Sequence, residues 1–273
     1  MQNVGLNLIN ETIFVGTRYT APPRLHLLYH EVRAVQSRYS YDIGASAFES
    51  HVDLVAKTQR KQTPDITAEF TFDDGHASDF ELVLPILSAR GLRAQFFVTV
   101  GWTGCKPGYM GWQEVRSLHD AGHIVGAHGW SHALLTHCSP QELEVELRKA
   151  RTVLEDKLGA PVSTMSLPGG RYDRRVLLAC RESGYAKVYT SVPRLELAAS
   201  EFTVGRVNMK SHVTADWITR LLQPGSSELA QLHTRHQIRK AAKRVVGDWL
   251  YEKLWAATVR KEPDDHTGAA SSR

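Results

Sequence analysis

The chain contains little cysteine. Only Cys105, Cys138 and Cys180 occur among the 273 residues, and they lie far apart in the sequence. An odd number of widely spaced cysteines favours reduced thiols over a disulfide framework, and it argues against a cysteine-rich zinc site. We assign these residues no functional role.

Long apolar runs are also missing. No stretch of the sequence approaches the roughly 18 consecutive apolar residues of a membrane-spanning helix. The first ten residues contain no basic region followed by an apolar segment, so we expect a cytoplasmic protein. The content of 42% hydrophobic and 23% charged residues is typical of a globular chain with a sizeable core.

The charge imbalance is small and local. The formal net charge is +4, and much of the basic excess lies in the C-terminal part of the chain. We therefore expect no nucleic-acid partner. Mixed basic and apolar residues predict a basic amphipathic helical extension over 225–262, followed by a disordered tail over 263–273. Such a helix can lie on the inner surface of an anionic membrane, dock a partner or pack on its own domain.

One predicted strand ends in two adjacent carboxylates. Residues 66–72 alternate β-favouring apolar residues with Glu69 and Thr71, and Asp73, Asp74 and Gly75 follow. Neighbouring side chains at a strand end point in different directions, so one aspartate can hold a metal while the other stays free. Aspartates at this position also occur in turns and helix N-caps, so the pattern alone leaves both interpretations open.

Strands and helices alternate along most of the chain, which predicts parallel strands joined by right-handed crossovers. In a closed barrel of this kind, the loops after the strands carry the chemistry. Several polar or turn-forming residues follow predicted strands and so belong to that face: Asp73, Asp74, His128, His132 and Pro168–Gly170. We expect them to lie close together.

His128 and His132 have the spacing of a metal-binding pair. Two histidines four residues apart can converge on one cation, and Asp74 is the natural third ligand. A site with three protein ligands leaves positions open for water and substrate, as in catalytic rather than structural sites. With 13 histidines in the chain, the spacing by itself can also arise by chance.

Three segments occur in an order that resembles a known family: Thr71–Gly75, His128–His132 and Leu167–Gly170. They are similar to the motifs of the polysaccharide deacetylases with a NodB homology domain, carbohydrate esterase family 4. The resemblance extends from about Leu25 to Thr190, and we assign residues 20–224 to such a domain. It implies an α/β fold, an incomplete or distorted (β/α) barrel with the helical extension at its C-terminal end.

The same resemblance implies an activity and a set of roles. The family members are metal-dependent hydrolases that remove N-acetyl groups from an N-acetylated sugar, glycan or glycoconjugate. Asp73 would be the general base, while Asp74, His128 and His132 would hold a divalent metal, usually Zn²⁺. Backbone N–H groups beside Pro168, at Gly169 and Gly170, would stabilise the oxyanion.

The sequence departs from the family pattern at two places. Many members have an arginine that orients the base where this chain has Ser166, and Arg171 is either its replacement or a surface residue. The late histidine that acts as general acid is matched only by the spacing of Met209–His212. His212 is therefore a candidate acid, or it lies in an exposed turn after a final strand.

Two further residues are pocket candidates. His30 follows a predicted strand and is an alternative acid, a sugar contact or a residue that satisfies nearby backbone groups. Trp130 lies between the two histidine ligands and could offer its face to a sugar ring. Two other functions stay open on the same barrel, hydrolysis of a non-sugar C–N amide or cyclic ureide bond and non-catalytic carbohydrate binding.

Overall fold

Strands and helices alternate along residues 21–60 and 64–246, the part of the chain that the computed structural model describes. The strands are β1 (Arg24–Tyr29), β2 (Glu31–Arg33), β3 (Asp42–Gly44), β4 (Thr67–Phe72), β5 (Ala94–Val98), β6 (Ile124–Ala127), β7 (Thr164–Ser166), β8 (Lys187–Tyr189), β9 (Thr203–Val204) and β10 (Arg206–Asn208). The α-helices are α1 (Ala45–Gln59), α2 (Leu84–Ser88), α3 (Trp112–Asp120), α4 (Pro140–Leu143), α5 (Ala150–Leu158), α6 (Arg174–Glu182), α7 (Ala215–Leu221) and α8 (Ser227–Val246). Single π-helical turns precede α2 and α5 at Asp79–Val83 and Glu144–Lys149.

Eight strands form one parallel sheet in the order β10-β1-β4-β5-β6-β7-β8-β9. Its two edge strands, β9 and β10, are consecutive in the chain and separated only by Gly205. A Cβ atom at Gly205 would lie 2.5 Å from the carbonyl oxygen of Val192, so only glycine fits this break. The chain thereby passes directly from one edge of the sheet to the other, so the sheet is nearly closed and the predicted distorted (β/α) barrel is confirmed.

The barrel has an apolar outside and a largely polar inside. In β4, Ala68, Phe70 and Phe72 belong to the main hydrophobic core, which the surrounding helices cover. Glu69 and Thr71 alternate with them and therefore point to the other face of the strand. The polar members of the alternation point into the barrel, toward the end where the strand stops at Asp73.

The helical segment after β6 begins with a capping box. Ser139 accepts a hydrogen bond from the N–H of Glu142, and the Glu142 carboxylate accepts one from the N–H of Ser139. A π-helical turn then separates α4 from α5. Glu146 belongs to this wider π-helical turn and lies against the loop after β6.

The C-terminal extension begins as predicted. The helix expected over 225–262 is present as α8, which ends at Val246 within the described residues. Residues 247–262 and the tail predicted over 263–273 lie outside the described residues, and the domain boundary at 224 stays a prediction. Among the helices of residues 21–60 and 64–246, none combines the length and the apolar character that crossing a membrane requires.

Candidate active site

Three potential metal ligands meet at the carboxyl end of the barrel. Asp74 follows β4, and His128 and His132 follow β6, so the carboxyl ends of the two parallel strands that flank β5 bring them together. Asp74 Oδ1 lies 3.2 Å from His128 Nε2 and 3.3 Å from His132 Nε2. One ligand atom from each residue lies within 4.8 Å of the others, which is compatible with a single shared cation.

Two of these residues have strained backbones. Asp74 has a φ of 79° and His132 a φ of 64°, and they are the two non-glycine residues with positive φ in the described chain. Such conformations cost on the order of 1–3 kcal/mol each and persist only where the surroundings enforce them. The strain turns both side chains toward the common point.

The orientation of His128 is fixed by a hydrogen bond on the side of its ring that faces away from Asp74. Its Nδ1 lies 2.9 Å from the backbone carbonyl oxygen of Ser166 in β7. Because a carbonyl oxygen can only accept, Nδ1 carries the proton and Nε2 keeps its lone pair for the site. This arrangement is the usual support for a metal-ligating histidine.

Asp74 completes a donor set that fits a divalent cation. Its Oδ1 is buried and makes no hydrogen bond within the described residues, although both histidine nitrogens lie close to it. Burial alone would raise the pKa of Asp74, but contacts with His128, His132 and His76 hold that pKa well below its usual range. One carboxylate oxygen with two imidazole nitrogens is a set typical of zinc.

Glu146 holds the loop that carries the two histidines. Its buried carboxylate accepts hydrogen bonds from the backbone N–H of Trp130 at 2.8 Å and of Ser131 at 3.0 Å. A Cβ atom at Gly129 would lie 2.7 Å from Glu146 Oε2, so the loop can approach this closely only with glycine there. Sequence reasoning missed Glu146, because only the π-helical turn brings it to the loop.

Asp73 is held separately from the metal ligands by Arg206. The two carboxylate oxygens accept from Arg206 Nη1 at 2.7 Å and Nη2 at 2.8 Å, and Ser166 Oγ donates to Oδ2 at 2.9 Å. Arg206 itself is fully buried in β10. Asp73 Oδ2 remains 4.0 Å from His128 Nε2, beside the metal ligands but outside their cluster.

This pairing bears on the serine at position 166, where many members of the family that the sequence resembles have an arginine. In this chain a guanidinium reaches Asp73 from β10, and Ser166 bridges Asp73 and Arg206. Arg171 lines the cleft instead. Burial alone would raise the pKa of Asp73, but Arg206 and His128 outweigh it and lower that pKa, which keeps the carboxylate ionised.

An open cleft of about 1420 Å³ leads to these groups. His30 and His212 both line it. His30 is half-buried, with its ring 5.3 Å from that of Tyr41, and burial lowers its pKa despite the opposing charges of Asp74 and Asp73. His212 is exposed in a turn after β10, which is the second of the two positions that the sequence analysis gave for it.

Only some of the remaining pocket candidates line the cleft. Gly169 and Gly170 line the cleft, but Pro168 and Trp130 are not among its lining residues in the described chain. The Gly170 N–H donates to the Leu167 carbonyl oxygen at 2.8 Å, so Gly169 is the better oxyanion donor of the pair. The indole of Trp130 packs against the core and lies under Lys149, whose Nζ is 4.2 Å from the ring centroid.

Sequence comparison gives a consistent family match. Residues 60–188 match the family model described as polysaccharide deacetylase. A putative polysaccharide deacetylase of Bacillus subtilis, YxkH, is 24% identical over 61% of this chain and 64% of its own length. The peptidoglycan-N-acetylglucosamine deacetylase PgdA of Listeria monocytogenes is 34% identical over 39% of this chain and 22% of its own length. The chain thus spans less than two thirds of these relatives.

Solved structures share the fold. The Streptococcus pyogenes deacetylase PplD, in complex with acetate, superposes with a TM-score of 0.67 over 75% of this chain and all of its own, at 16% identity. IcaB from Ammonifex degensii gives a TM-score of 0.61 over 75% of this chain and 98% of its own, at 22% identity. At these identities the likeness establishes the barrel alone.

Proposed function

We propose that this chain is a metal-dependent hydrolase that removes N-acetyl groups from a sugar, glycan or glycoconjugate, and the match of residues 60–188 to the polysaccharide deacetylase family model supports the proposal. One observation carries the proposal. Two adjacent aspartates have different surroundings, since Asp74 points at two histidines while Asp73 is bound by a buried arginine. A metal-assisted hydrolysis requires this division between a ligand and a free base.

Asp74, His128 and His132 would hold the cation, and we propose Zn²⁺ because the donor set contains two imidazole nitrogens and one carboxylate oxygen. When bound there, the metal would polarise the amide carbonyl and lower the pKa of a water molecule. The fixed tautomer of His128 and the Glu146 clamp on the loop keep the ligand atoms in place before any substrate arrives.

Asp73 would remove the proton of the attacking water. Arg206 keeps its carboxylate charged and prevents it from rotating toward the ligand cluster. Its low pKa makes Asp73 a weak base, which suffices when the water to be deprotonated is itself acidified. The Gly169 N–H is the backbone donor that we assign to the developing oxyanion.

The leaving amine needs a proton, and two histidines line the cleft. We assign this role to His30, because it is half-buried in the cleft wall and its buried Nδ1 makes no hydrogen bond within the described residues. His212 stays the alternative, since it lines the same cleft from an exposed turn. The cytoplasmic location expected from the sequence is also kept as a proposal, as is contact of the C-terminal basic helix with a membrane or partner.

Acetate release from a panel of N-acetylated sugars and glycans tests the proposed function. We expect release with zinc, loss of release after chelation and its return on adding zinc back. The variant Asp120→Asn, which changes an exposed aspartate of α3, is the matched control for aspartate substitutions and should behave as wild type. Ammonia or another amine without acetate would indicate a different C–N bond, and sugar binding without hydrolysis would indicate a non-catalytic protein.

A further inference from the structure

The cleft is larger than the catalytic groups require, and its outer wall is helical. Beyond the metal ligands it extends along α7 and α8, and its volume of about 1420 Å³ exceeds the range of roughly 300–1,000 Å³ typical of small-molecule pockets. The helical wall is formed by these side chains: Trp217, Arg220, Leu232, Arg235, His236, Arg239 and Lys240. The cleft therefore has room for a substrate that extends well past the acetamido group.

The residues of α8 that line the cleft form one helix face. Their intervals along the chain are three or four residues, from Leu232 through Arg235 and His236 to Arg239 and Lys240. Ile238 lies away from this face and is 63% exposed to solvent. An ordinary surface helix buries its apolar face and exposes its charges. Beyond Leu232, α8 leaves Ile238 exposed as well, while its exposed basic side chains Arg235, Arg239 and Lys240 border the cleft, where a ligand can reach them.

The helix is anchored in this orientation near its start. Leu229 and Leu232 pack against the main core. The His233 ring contacts the loop after β8, with Nδ1 3.1 Å from the Pro193 carbonyl oxygen, which accepts the hydrogen bond. These contacts fix the position of α8 along the cleft, so the basic side chains that follow border it.

The barrel side of the same region adds another cation. Lys210 lies on the cleft wall after β10, with Nζ 5.5 Å from the Tyr41 ring centroid. Burial and the nearby charge of Arg239 both lower the pKa of Lys210. The Lys210 ammonium group therefore lies near the basic face of α8, and one anion in the cleft can contact both.

The carboxylates that line the cleft lie elsewhere and have partners. Asp42 contacts Arg33 at 2.7 Å and Glu31 contacts the same arginine at 3.2 Å. Asp73 is bound by Arg206, and Asp74 belongs to the proposed metal site. Within the described residues, the outer part of the cleft is thus positive while its inner part holds the acidic catalytic groups.

We propose that this outer wall, formed by Lys210, Arg235, Arg239 and Lys240, binds a phosphoryl group of the substrate, so that the substrate is an N-acetylated sugar carrying a phosphate or diphosphate. The inference rests on the proposed function and names its substrate class. Guanidinium groups bind phosphate oxygens in pairs, and a phosphate carries nearly two charges for several cations to share. The cations line a concave cleft, which suits a single phosphoryl group better than a planar membrane surface.

The test compares acetate release from N-acetylglucosamine, its 1-phosphate, its uridine diphosphate ester and a polyprenyl diphosphate ester. We expect at least about a tenfold higher kcat/KM for a phosphorylated form than for the neutral sugar, since charge-assisted contacts of this kind are among the stronger polar interactions. The three phosphorylated probes distinguish a plain sugar phosphate, a nucleotide and a lipid carrier as the source of the group.

The variant Arg235→Gln/Arg239→Gln/Lys240→Gln should lose most of this preference, mainly through a higher KM for the phosphorylated probe. The matched control Lys57→Gln/Arg60→Gln/Arg93→Gln removes the same formal charge at exposed positions outside the cleft and should keep the preference. If both triple variants lose the preference for the phosphorylated sugar equally, net charge alone explains the preference and the proposal is overturned.

Other results separate this inference from the proposed function. If no probe releases acetate, the deacetylase assignment fails, and calorimetric binding of the sugar 1-phosphate still decides the subsite. Weaker binding by the α8 variant than by its control supports the subsite, whereas equal binding overturns it. Equal kcat/KM for neutral and phosphorylated sugars, or an α8 variant that loses only its binding to anionic vesicles, also overturns it.

Discussion

At the amino end of the barrel, the buried carboxylate of Glu196 contacts Lys187 at 2.5 Å, His26 at 2.8 Å and Arg24 at 3.0 Å. At the carboxyl end, Asp74 Oδ1 is also buried but makes no hydrogen bond within the described residues. Both ends hold charge inside the same fold. At the amino end, Lys187, Arg24 and His26 surround the Glu196 carboxylate. At the carboxyl end, Asp74 Oδ1 and the Nε2 atoms of His128 and His132 are directed at a common point.

Asp73 combines features of both ends. Like Glu196 it is buried with cationic partners, yet it stands beside the metal ligands and lines the cleft. The barrel thus contains structural ion pairs at the amino ends of its strands and potential catalytic side chains that line the cleft at their carboxyl ends. Substitutions at the two ends should therefore separate stability from activity.

The largest effects should come from the Asp73–Arg206 pair. Arg206→Met leaves a buried carboxylate unpaired, so the free energy of unfolding should fall by about 3–5 kcal/mol in urea titrations. Adding Asp73→Asn to this variant should restore much of the stability but none of the activity. Asp73→Asn alone should slow acetate release about 10²–10⁴-fold, the usual contribution of a general base.

If the double variant is as unstable as Arg206→Met, the arginine acts by packing instead. Its guanidinium carbon lies 5.6 Å from the Phe97 ring centroid and 5.9 Å from that of Tyr189, so such a role is available. The double-variant cycle distinguishes the two explanations, because only the electrostatic one predicts that neutralising Asp73 compensates.

The two cleft histidines should differ by a large factor. His30→Gln should lower kcat by about a hundredfold, since it removes the proton donor that we assign to the leaving amine. His212→Gln should lower it by only a few-fold if its exposed turn contributes to binding alone. Steady-state kinetics on one substrate provide the measurement. A reversed order would transfer the role to His212, as the sequence spacing had suggested.

Glu146→Gln should weaken metal binding rather than chemistry. The amide cannot accept all of the hydrogen bonds that the Trp130 and Ser131 groups donate, so the His132 loop should shift and zinc affinity should fall about 10–100-fold. Competition with a chromogenic chelator measures this. Glu144→Gln, on the exposed side of the same π-helical turn, is the control. Unchanged affinity in both variants would show that the loop needs no clamp.

Glu196→Gln should affect stability and leave kcat/KM near that of wild type. Burial would raise the pKa of Glu196, but His26 and Lys187 lower it to about 2. Because the folded-state pKa lies below the usual value of 4.5, the ionised form stabilises the fold above about pH 4.5, and that contribution is lost toward pH 2.

Urea unfolding at several pH values should therefore show a loss of about 1–3 kcal/mol near neutral pH that shrinks below pH 4.5. A loss that is independent of pH would mean that packing, not charge, explains the effect. A large fall in kcat/KM would show that the two ends of the barrel are not independent.

The parts of the fold and site that the sequence predicted correctly depend on local patterns. The alternation in β4 and the spacing of His128 and His132 are visible within a few residues. They predicted strand β4 and, with Asp74 as the third ligand, the convergence that the structure shows. The barrel and the separate place of Asp73 beside the ligands were implied by the family resemblance.

The features that were missed depend on distant pairings. Arg206 lies 133 residues from Asp73, and nothing around it in the sequence distinguishes it from a surface arginine. Glu146 faces the site only because a π-helical turn shifts its direction. The basic face of α8 borders the cleft because of the way this helix packs against the barrel. Residue periodicity alone does not determine that packing.

The central claim is that the adjacent residues Asp73 and Asp74 have different functions, and zinc content measured together with acetate release tests it most directly. After dialysis against limiting zinc, Asp73→Asn should retain about one zinc per chain and release almost no acetate, whereas Asp74→Asn should lose both. Loss of zinc from Asp73→Asn, or acetate release by Asp74→Asn at the wild-type rate, would contradict the account.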